Sequence, residues 1–303
     1  MMRGSWIERF ISLLPERIVL GEAMRKHTTF AIGGPADAWV CPHTAKEAAA
    51  VLQFAQKEQV PLTVLGGGSN VLVKDGGIRG IVMQLTELRD TLVCSGGQVV
   101  ASAGYMMKDI CCFAAEHELS GLEFAVGIPG TLGGAVFMNA GAYDGEISPL
   151  VKKVIAAAKD GSIREYQKEE LHFSYRHSVF QETGDIILEV HMELTPGSRK
   201  DIEDKMADLT VRRESKQPLE HYSAGSTFKR PQGYFAGTLI DQTGLKGLSI
   251  GDAQVSEKHA GFVINRGTAS AKEVLSLIEK IQDRVYEAHH VHLEPEVKII
   301  GED

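Results

Sequence analysis

Cysteine is scarce in this chain. Only Cys41, Cys94, Cys111 and Cys112 occur among 303 residues, and no Cys-x-x-Cys pair exists. That excludes the usual zinc-ribbon and dithiol spacings, and the reading is buried, reduced thiols in a cytosolic protein. Cationic excess is absent too. Thirty-two Lys and Arg stand against 40 Asp and Glu, a formal net charge of −8. A general nucleic-acid binder needs a basic surface, so no nucleic-acid partner is expected. A local cationic pocket can still take an anionic small ligand. No long uncharged apolar run appears, so no membrane insertion is expected. The stretch Trp6–Leu14 is apolar but broken by Glu8 and Arg9, and no small-residue cleavage site follows. It reads as a short amphipathic helix rather than a signal peptide, and the expected location is cytoplasmic.

Several motifs are also missing. No Gly-x-Gly-x-x-Gly occurs, and Gly66-Gly67-Gly68 is not followed by Lys and then Ser or Thr. Neither the Rossmann fingerprint nor a nucleotide-hydrolase phosphate loop is present, so a dinucleotide would need another fold. No Ser–His–acid arrangement is argued by spacing, which speaks against a hydrolase nucleophile. His289, His290 and His292 look metal-like, but no carboxylate or cysteine is obviously matched to them. They read as an exposed His-rich turn, and no metal is expected.

What is present is an ordinary globular composition, 43% hydrophobic and 24% charged. The length predicts two or three structural units. Strands are expected at 36–41, 61–65, 71–73, 78–85, 99–103, 151–158 and 186–194. Thr44 can cap a helix running to about Gln59, with Ala48, Val51, Leu52 and Ala55 on one face. Met107–Leu119 reads as an apolar helix carrying Cys111 and Cys112, and 199–215 as a charged one. Val274, Leu277, Ile278, Ile281 and Val285 repeat at helical spacing in a helix over about Ala271–Ala288. Pro196-Gly197 punctuates the chain, placing the expected boundary between a first region, 1–198, with the N-terminal helix, and a second, 199–303. Helices and strands mix without a clean βαβ alternation, so the fold class is α+β.

Four blocks look built for contact with a bound molecule. Gly66, Gly67, Gly68, Ser69 and Asn70 follow a strand; the run is either a turn or a pyrophosphate cradle. Ile128–Tyr143 contains Gly130, Thr131, Gly133 and Gly134, with Gly127 just before it. This density fits close packing of two chain segments, or backbone approach to a flat or phosphorylated ligand. Ser223–Pro231 holds Ser226, Lys229 and Arg230, with Ser226 in a Gly/Ser-rich turn. Leu293–Gly301 holds Glu294 and Glu296 around Pro295. Alternation would put both carboxylates on one face unless Pro295 breaks the strand. Separately, Arg176 lies among aromatic and apolar neighbours and needs an anionic partner, from the protein or from a ligand.

In order and spacing, eight segments resemble the UDP-N-acetylenolpyruvoylglucosamine reductase family, flavoenzymes of peptidoglycan precursor synthesis. They are Thr28–Pro35, Gly66–Asn70, Ile128–Tyr143, Tyr175–Ser178, Arg213–Pro218, Ala224–Lys229, Gln254–His259 and Leu293–Gly301. The resemblance covers nearly the whole chain and is closest to the compact subgroup, which lacks an extra substrate-covering loop. It implies a two-part FAD-binding region of the vanillyl-alcohol-oxidase type and a smaller C-terminal α+β substrate domain. It implies noncovalent FAD, NADPH as reductant, and a UDP-sugar enolpyruvyl substrate. By resemblance, FAD contacts fall on Gly66, Gly67, Gly68, Ser69, Asn70, Gly130, Thr131, Gly133, Gly134 and Arg213. Arg176, Ser226 and Glu296 match the three catalytic positions. Tyr175, Lys216, Lys229 and Arg230 match or adjoin substrate-binding positions, Arg230 standing where many relatives have Asn. Two other functions stay open on the residues alone. One is a flavin oxidase or dehydrogenase of the same fold acting on an alcohol. The other is a non-catalytic sugar-nucleotide-binding module.

Overall fold

Residues 5–303 are described by a computed structural model, and they fall into two compact units. The first comprises the segments ending at Leu20, Ala38–Gly67 and Gly80–Arg213. The second comprises Gly21–Asp37, Gly68–Arg79 and Glu214–Asp303.

The first unit is built on two sheets. One has the strand order Ile18–Leu20, Ala36–Val40, Ile78–Gln84, Leu62–Leu65. Its last pair is parallel, in register from Leu62↔Ile81 to Leu65↔Gln84. Helices α1 (Ser5–Leu13) and α2 (Ala45–Glu58) belong here, with the rings of Phe10 and Phe54 5.0 Å apart. Thr44 caps α2 by accepting from the Glu47 amide, Gln59 ends it in the left-handed region, and Ala48, Val51, Leu52 and Ala55 form its buried face. The other sheet is antiparallel, ordered Ile163–Gln167, Val151–Ala157, Ile186–Glu193, Gln98–Ser102, Leu92–Ser95. With it come α3 (Met107–Glu116), α4 (Leu132–Phe137), α5 (Phe180–Thr183) and most of α6 (Arg199–Lys216). Two sheets with separate helices match the expected two-part first region. One core, including Phe10, Ile81, Met83, Val154, Leu171 and Phe180, fills the unit.

The second unit holds an antiparallel sheet ordered Tyr222–Ser226, Phe262–Asn265, Ala253–Val255, Ser249–Ile250. Helices α7 (Ala236–Gln242) and α8 (Ala271–His289) pack with it. Ser270 and Glu273 form a capping box at the start of α8. Val274, Leu277, Ile278, Ile281 and Val285 are all buried. Each contributes about 1.5–3 kcal/mol of apolar transfer energy. Val71–Val73 pairs in parallel with Lys298–Ile300, and Asp75 accepts from the first amides of α8, Ala271 N at 2.8 Å and Lys272 N at 3.0 Å.

Several elements differ from expectation. Leu92–Ser95 and Ile163–Gln167 are strands that the pattern did not announce; both lie at sheet edges, the first half exposed and the second almost wholly exposed, so they carry little apolar alternation. Helix α3 stops at Glu116, because Leu119 pairs in a short strand with Pro196. Of the cysteines, Cys41 and Cys111 are buried, but Cys94 is half-buried and Cys112 exposed, since adjacent helical positions point apart. The compact units are also not divided at residue 198. Two early segments join the C-terminal residues, and α6 stays with the first unit to Arg213 through buried Ile202, Met206 and Leu209.

Candidate active site

In the first unit the two Gly-rich blocks meet. A Cβ on Gly66 would lie 2.5 Å from Thr131 Oγ1, and one on Gly67 would lie 2.9 Å from Gly130 Cα. Thr131 is buried and caps the six-residue helix α4, its Oγ1 accepting from Gly134 N at 3.4 Å. Gly66 is held from the other side by Gln84, whose Nε2 donates to its carbonyl at 3.1 Å. Close packing therefore requires these glycines. Yet the N–H groups of Gly66, Gly67, Gly130 and Thr131 donate to no protein acceptor among the described residues. Gly133 and Gly134 differ. Gly133 N donates to Ala103 O at 2.9 Å and Gly134 N to Thr131, so their amides are engaged internally.

Arg213 supplies a cation in the same unit. A Cβ on Gly127 would lie 2.6 Å from Arg213 Cδ, so only glycine leaves room for the side chain. Burial pulls the guanidinium below its ordinary pKa, and its buried Nε has no hydrogen-bond partner among the described residues. A buried guanidinium nitrogen without an acceptor is costly. Unengaged amides and an orphaned cationic donor are what an anionic, phosphate-bearing group would satisfy, so the residues fit a flavin dinucleotide.

Arg176 is also in the first unit. Its backbone is left-handed, φ 55°, in a tight reversal where Ser174 and His177 pair. Nη2 donates to Gly141 O at 3.3 Å, Nη1 to Asn139 O at 3.5 Å, and the guanidinium lies 5.2 Å from the centre of the exposed Tyr175 ring. The reversal is clamped from below. Buried Asn139 donates to Ser174 O at 3.0 Å, Ser178 Oγ to Phe137 O at 2.8 Å, and Gln181 Nε2 to Arg176 O at 2.9 Å. Three side chains thus fix a strained loop and the cation it carries. Asn139, Ser178 and Gln181 were not singled out from the sequence. The signal for Asn139 was an Asn inside a Gly-rich run, a type that tolerates its φ of 40°.

The second unit holds the remaining candidates. Ser226 ends the strand Tyr222–Ser226 and faces Phe262, rather than sitting in a turn. A register shift between Ser223 and Ser226, with Gly225 at φ 76°, forms a bulge that re-aims the exposed serine. Phe228 bridges Pro295, and Glu296 N donates to Thr227 O at 2.8 Å. The serine strand and the Glu296 segment therefore run side by side. Glu294 is exposed and pairs with Lys229 Nζ at 3.1 Å, whereas Glu296 is half-buried. Pro295 thus separates the two carboxylates. Arg230 lies 4.0 Å over the ring of exposed Phe235, and Lys216 is the exposed last residue of α6. Gly68 sits at φ 66° with its carbonyl accepting from Thr29 N, and a Cβ there would reach within 2.1 Å of His27 O. Asn70 Nδ2 donates to Glu296 O at 3.3 Å. His259 Nδ1 accepts from Gly261 N at 3.1 Å; burial keeps this imidazole below its ordinary pKa and hence neutral, with the proton on Nε2. The histidines at the end of α8 pack locally: His289 meets Thr243 Oγ1 at 3.1 Å and His292 stacks on Tyr286.

A family model for an FAD binding domain matches residues 36–166, and one for the C-terminal domain of UDP-N-acetylenolpyruvoylglucosamine reductase matches 217–300. The UDP-N-acetylenolpyruvoylglucosamine reductase of Clostridium kluyveri is 48% identical over 288 residues, 95% of this chain and 94% of that protein. The chain belongs to the UDP-N-acetylenolpyruvoylglucosamine reductase family. The crystal structure of the Thermus caldophilus reductase superposes with a TM-score of 0.80 at 36% identity, covering 93% of this chain and 97% of that one. p-Cresol methylhydroxylase is similar in fold alone, with a TM-score of 0.57 at 10% identity over 94% of this chain and 87% of that one. The reductase family thus extends over both units, and the α+β class with a flavin-binding first region stands. Among the described residues no helix is long and apolar enough to cross a membrane.

Proposed function

We propose that this protein uses noncovalent FAD and NADPH to reduce UDP-N-acetylglucosamine enolpyruvate to UDP-N-acetylmuramate, a step of peptidoglycan precursor synthesis. The observation that carries this reading is membership of the whole chain, not of one block, in the reductase family. Residues before 199 are assigned to the flavin and residues 199–303 chiefly to the sugar nucleotide. A nucleotide-sugar substrate and a peptidoglycan-precursor product support a reading in which the enzyme works in the cytoplasm, with roles in cell shape, cell cycle and division. Neither a nucleic-acid partner nor membrane insertion enters this reading.

When bound, FAD supplies the hydride, drawn from NADPH, for the terminal carbon of the enolpyruvyl double bond. The amides of Gly66, Gly67, Gly130 and Thr131 would hold its pyrophosphate, with Arg213 contributing charge. Gly68, Ser69 and Asn70 continue that loop, and Gly133 and Gly134 keep α4 close to it.

Arg176 is the candidate to hold the substrate carboxylate, into which negative charge flows after hydride addition. A preorganised cation is worth most where charge develops, and the clamp of Asn139, Ser178 and Gln181 supports that role. Ser226 Oγ–H would donate the proton to the neighbouring carbon. Glu296, in its protonated form, would hydrogen-bond the developing acid. Addition of one hydride and one proton turns the enolpyruvyl ether into a lactyl ether. Tyr175, Lys216, Lys229 and Arg230 are assigned to the substrate.

The test is a visible spectrum of the purified protein. A yellow protein should release its colour on acid precipitation, bleach with NADPH under anaerobic conditions, and recover colour when the enolpyruvyl sugar nucleotide is added. Colour retained by the pellet would sink the noncovalent assignment. Bleaching by an alcohol, without recovery by the sugar nucleotide, would favour the oxidase reading. A colourless protein that still binds the sugar nucleotide would favour the non-catalytic module.

A further inference from the structure

Asn70 has two hydrogen bonds to the segment that carries Glu296. Its side-chain Nδ2 donates to Glu296 O at 3.3 Å, and its own carbonyl accepts from Lys298 N at 3.0 Å. One residue, Val297, lies between those two contact points on the Glu296 segment. Beyond Asn70 the pairing continues in parallel register, Lys298↔Val71 through Ile300↔Val73. On its other side the Glu296 amide donates to Thr227 O at 2.8 Å, one residue after Ser226. The peptide groups flanking Glu296 are thus fixed at both ends. One end is held by the residue following the serine, the other by an amide side chain 226 residues away in sequence.

The Asn70 Nδ2 contact is made by a side chain. The Thr227 contact and the parallel ladder are main-chain bonds that many sequences would form. The Asn70 side chain adds a specific donor for the carbonyl of half-buried Glu296, and a carbonyl that loses its donor shifts to find another. Asn70 also ends the Gly68–Ser69–Asn70 run, which lies at the end of the loop assigned to the flavin. Anything that orders this run orders the donor.

We infer that Asn70 is a positioning residue: it ties the Glu296 carbonyl to the cofactor loop, so that occupancy of the loop and placement of the Glu296 carboxyl are coupled. The inference rests on the proposed role of Glu296. It does not make Asn70 touch the reacting atoms. It adds that Asn70 acts on the proton-transfer step through Glu296, beyond whatever contact it makes with flavin.

The test uses the full-length protein with added FAD, as parent, Asn70→Ala, Glu296→Ala and the double variant. Stopped-flow measurement separates reduction of the flavin by NADPH from its reoxidation by the enolpyruvyl sugar nucleotide. Compared at full flavin loading, Asn70→Ala should slow reoxidation about tenfold to a hundredfold more than it slows reduction, the scale of a misplacement near 1 Å. In the Glu296→Ala background the same change should cost almost nothing further, because the group being positioned is gone. An equal loss in both backgrounds overturns the inference and makes Asn70 a flavin or general structural contact. Amide hydrogen exchange, read on flavin-loaded and flavin-free protein, gives an arm independent of turnover. The Glu296 amide should exchange faster in Asn70→Ala, and removing flavin should speed it in the parent but not in that variant. Unchanged exchange at Glu296 overturns the tether, even if Asn70→Ala loses flavin. Should Glu296→Ala alone reoxidise at the parent rate, the catalytic assignment of Glu296 fails, and the exchange result still decides the tether.

Discussion

Gly67 and Gly130 pack backbone against backbone, with a Cβ on Gly67 falling 2.9 Å from Gly130 Cα. The two Gly-rich blocks are thereby locked to each other in the first unit, with their unengaged amides beside one another. Neither block is merely a turn.

Gly67→Ala should therefore act on both stability and cofactor. The methyl meets main chain that cannot swing aside, and overpacking of this kind costs about 1–3 kcal/mol. Thermal unfolding should show the loss, and flavin absorbance per mole of purified protein should drop. A variant with full flavin and an unshifted transition would mean that the blocks are less rigid than their packing states.

Arg176→Lys keeps the charge but removes the planar fork that reaches toward Asn139 and Gly141. Reoxidation of reduced flavin by the enolpyruvyl sugar nucleotide should slow by about a hundredfold. Flavin reduction by NADPH should change little. If a folded variant turns over normally, Arg176 is structural.

Ser226→Ala should be neutral for stability, within about 0.5 kcal/mol, because the residue is exposed at a strand end. It should bind FAD and be bleached by NADPH as the parent is. Reoxidation should fall by a hundredfold to ten-thousandfold, roughly the contribution of a positioned general acid. Loss of the NADPH step with normal reoxidation would instead assign the serine to the nicotinamide.

Glu123 gives a pH prediction away from the site. Burial works to raise its carboxyl pKa, but Ser120 Oγ at 2.6 Å, the Gly121 amide and Lys205 outweigh this and hold it below the ordinary value of 4.5. A carboxylate depressed in the folded state contributes stability that is present above its unfolded pKa and lost as pH falls through the folded one. Glu123→Gln should be less stable than the parent at neutral pH, by about 1–3 kcal/mol for the buried donors left poorly matched. Its melting temperature should also decline less steeply below about pH 4.5. Parallel declines in parent and variant would show that Glu123 does not set the acid limb.

Much of the local structure follows from sequence because its causes are local. The period of Val274, Leu277, Ile278, Ile281 and Val285 gives α8, and Ser270 with Glu273 gives its start. Thr44 and the apolar stripe behind it give α2. Order and spacing of the eight segments carried the family. The edge strands Leu92–Ser95 and Ile163–Gln167 did not show, because ladder bonds to a neighbour, rather than a buried face, hold them in place.

Residue types alone therefore determined which side chains could do chemistry, and the helical periods and caps that carry many of them. Tertiary structure decided what each candidate is held by. It decided that Gly133 and Gly134 use their amides internally while, among the described residues, Gly66, Gly67, Gly130 and Thr131 do not. It re-aimed Ser226 with a bulge at Gly225 and separated Glu294 from Glu296 at Pro295. It also drew Gly68–Arg79 into one compact unit with the C-terminal residues. The physical reason is that a hydrogen bond such as Asn70 to Glu296 spans 226 residues of chain. No periodicity or propensity of either segment encodes its partner; only the folded backbone brings the donor and the acceptor within reach.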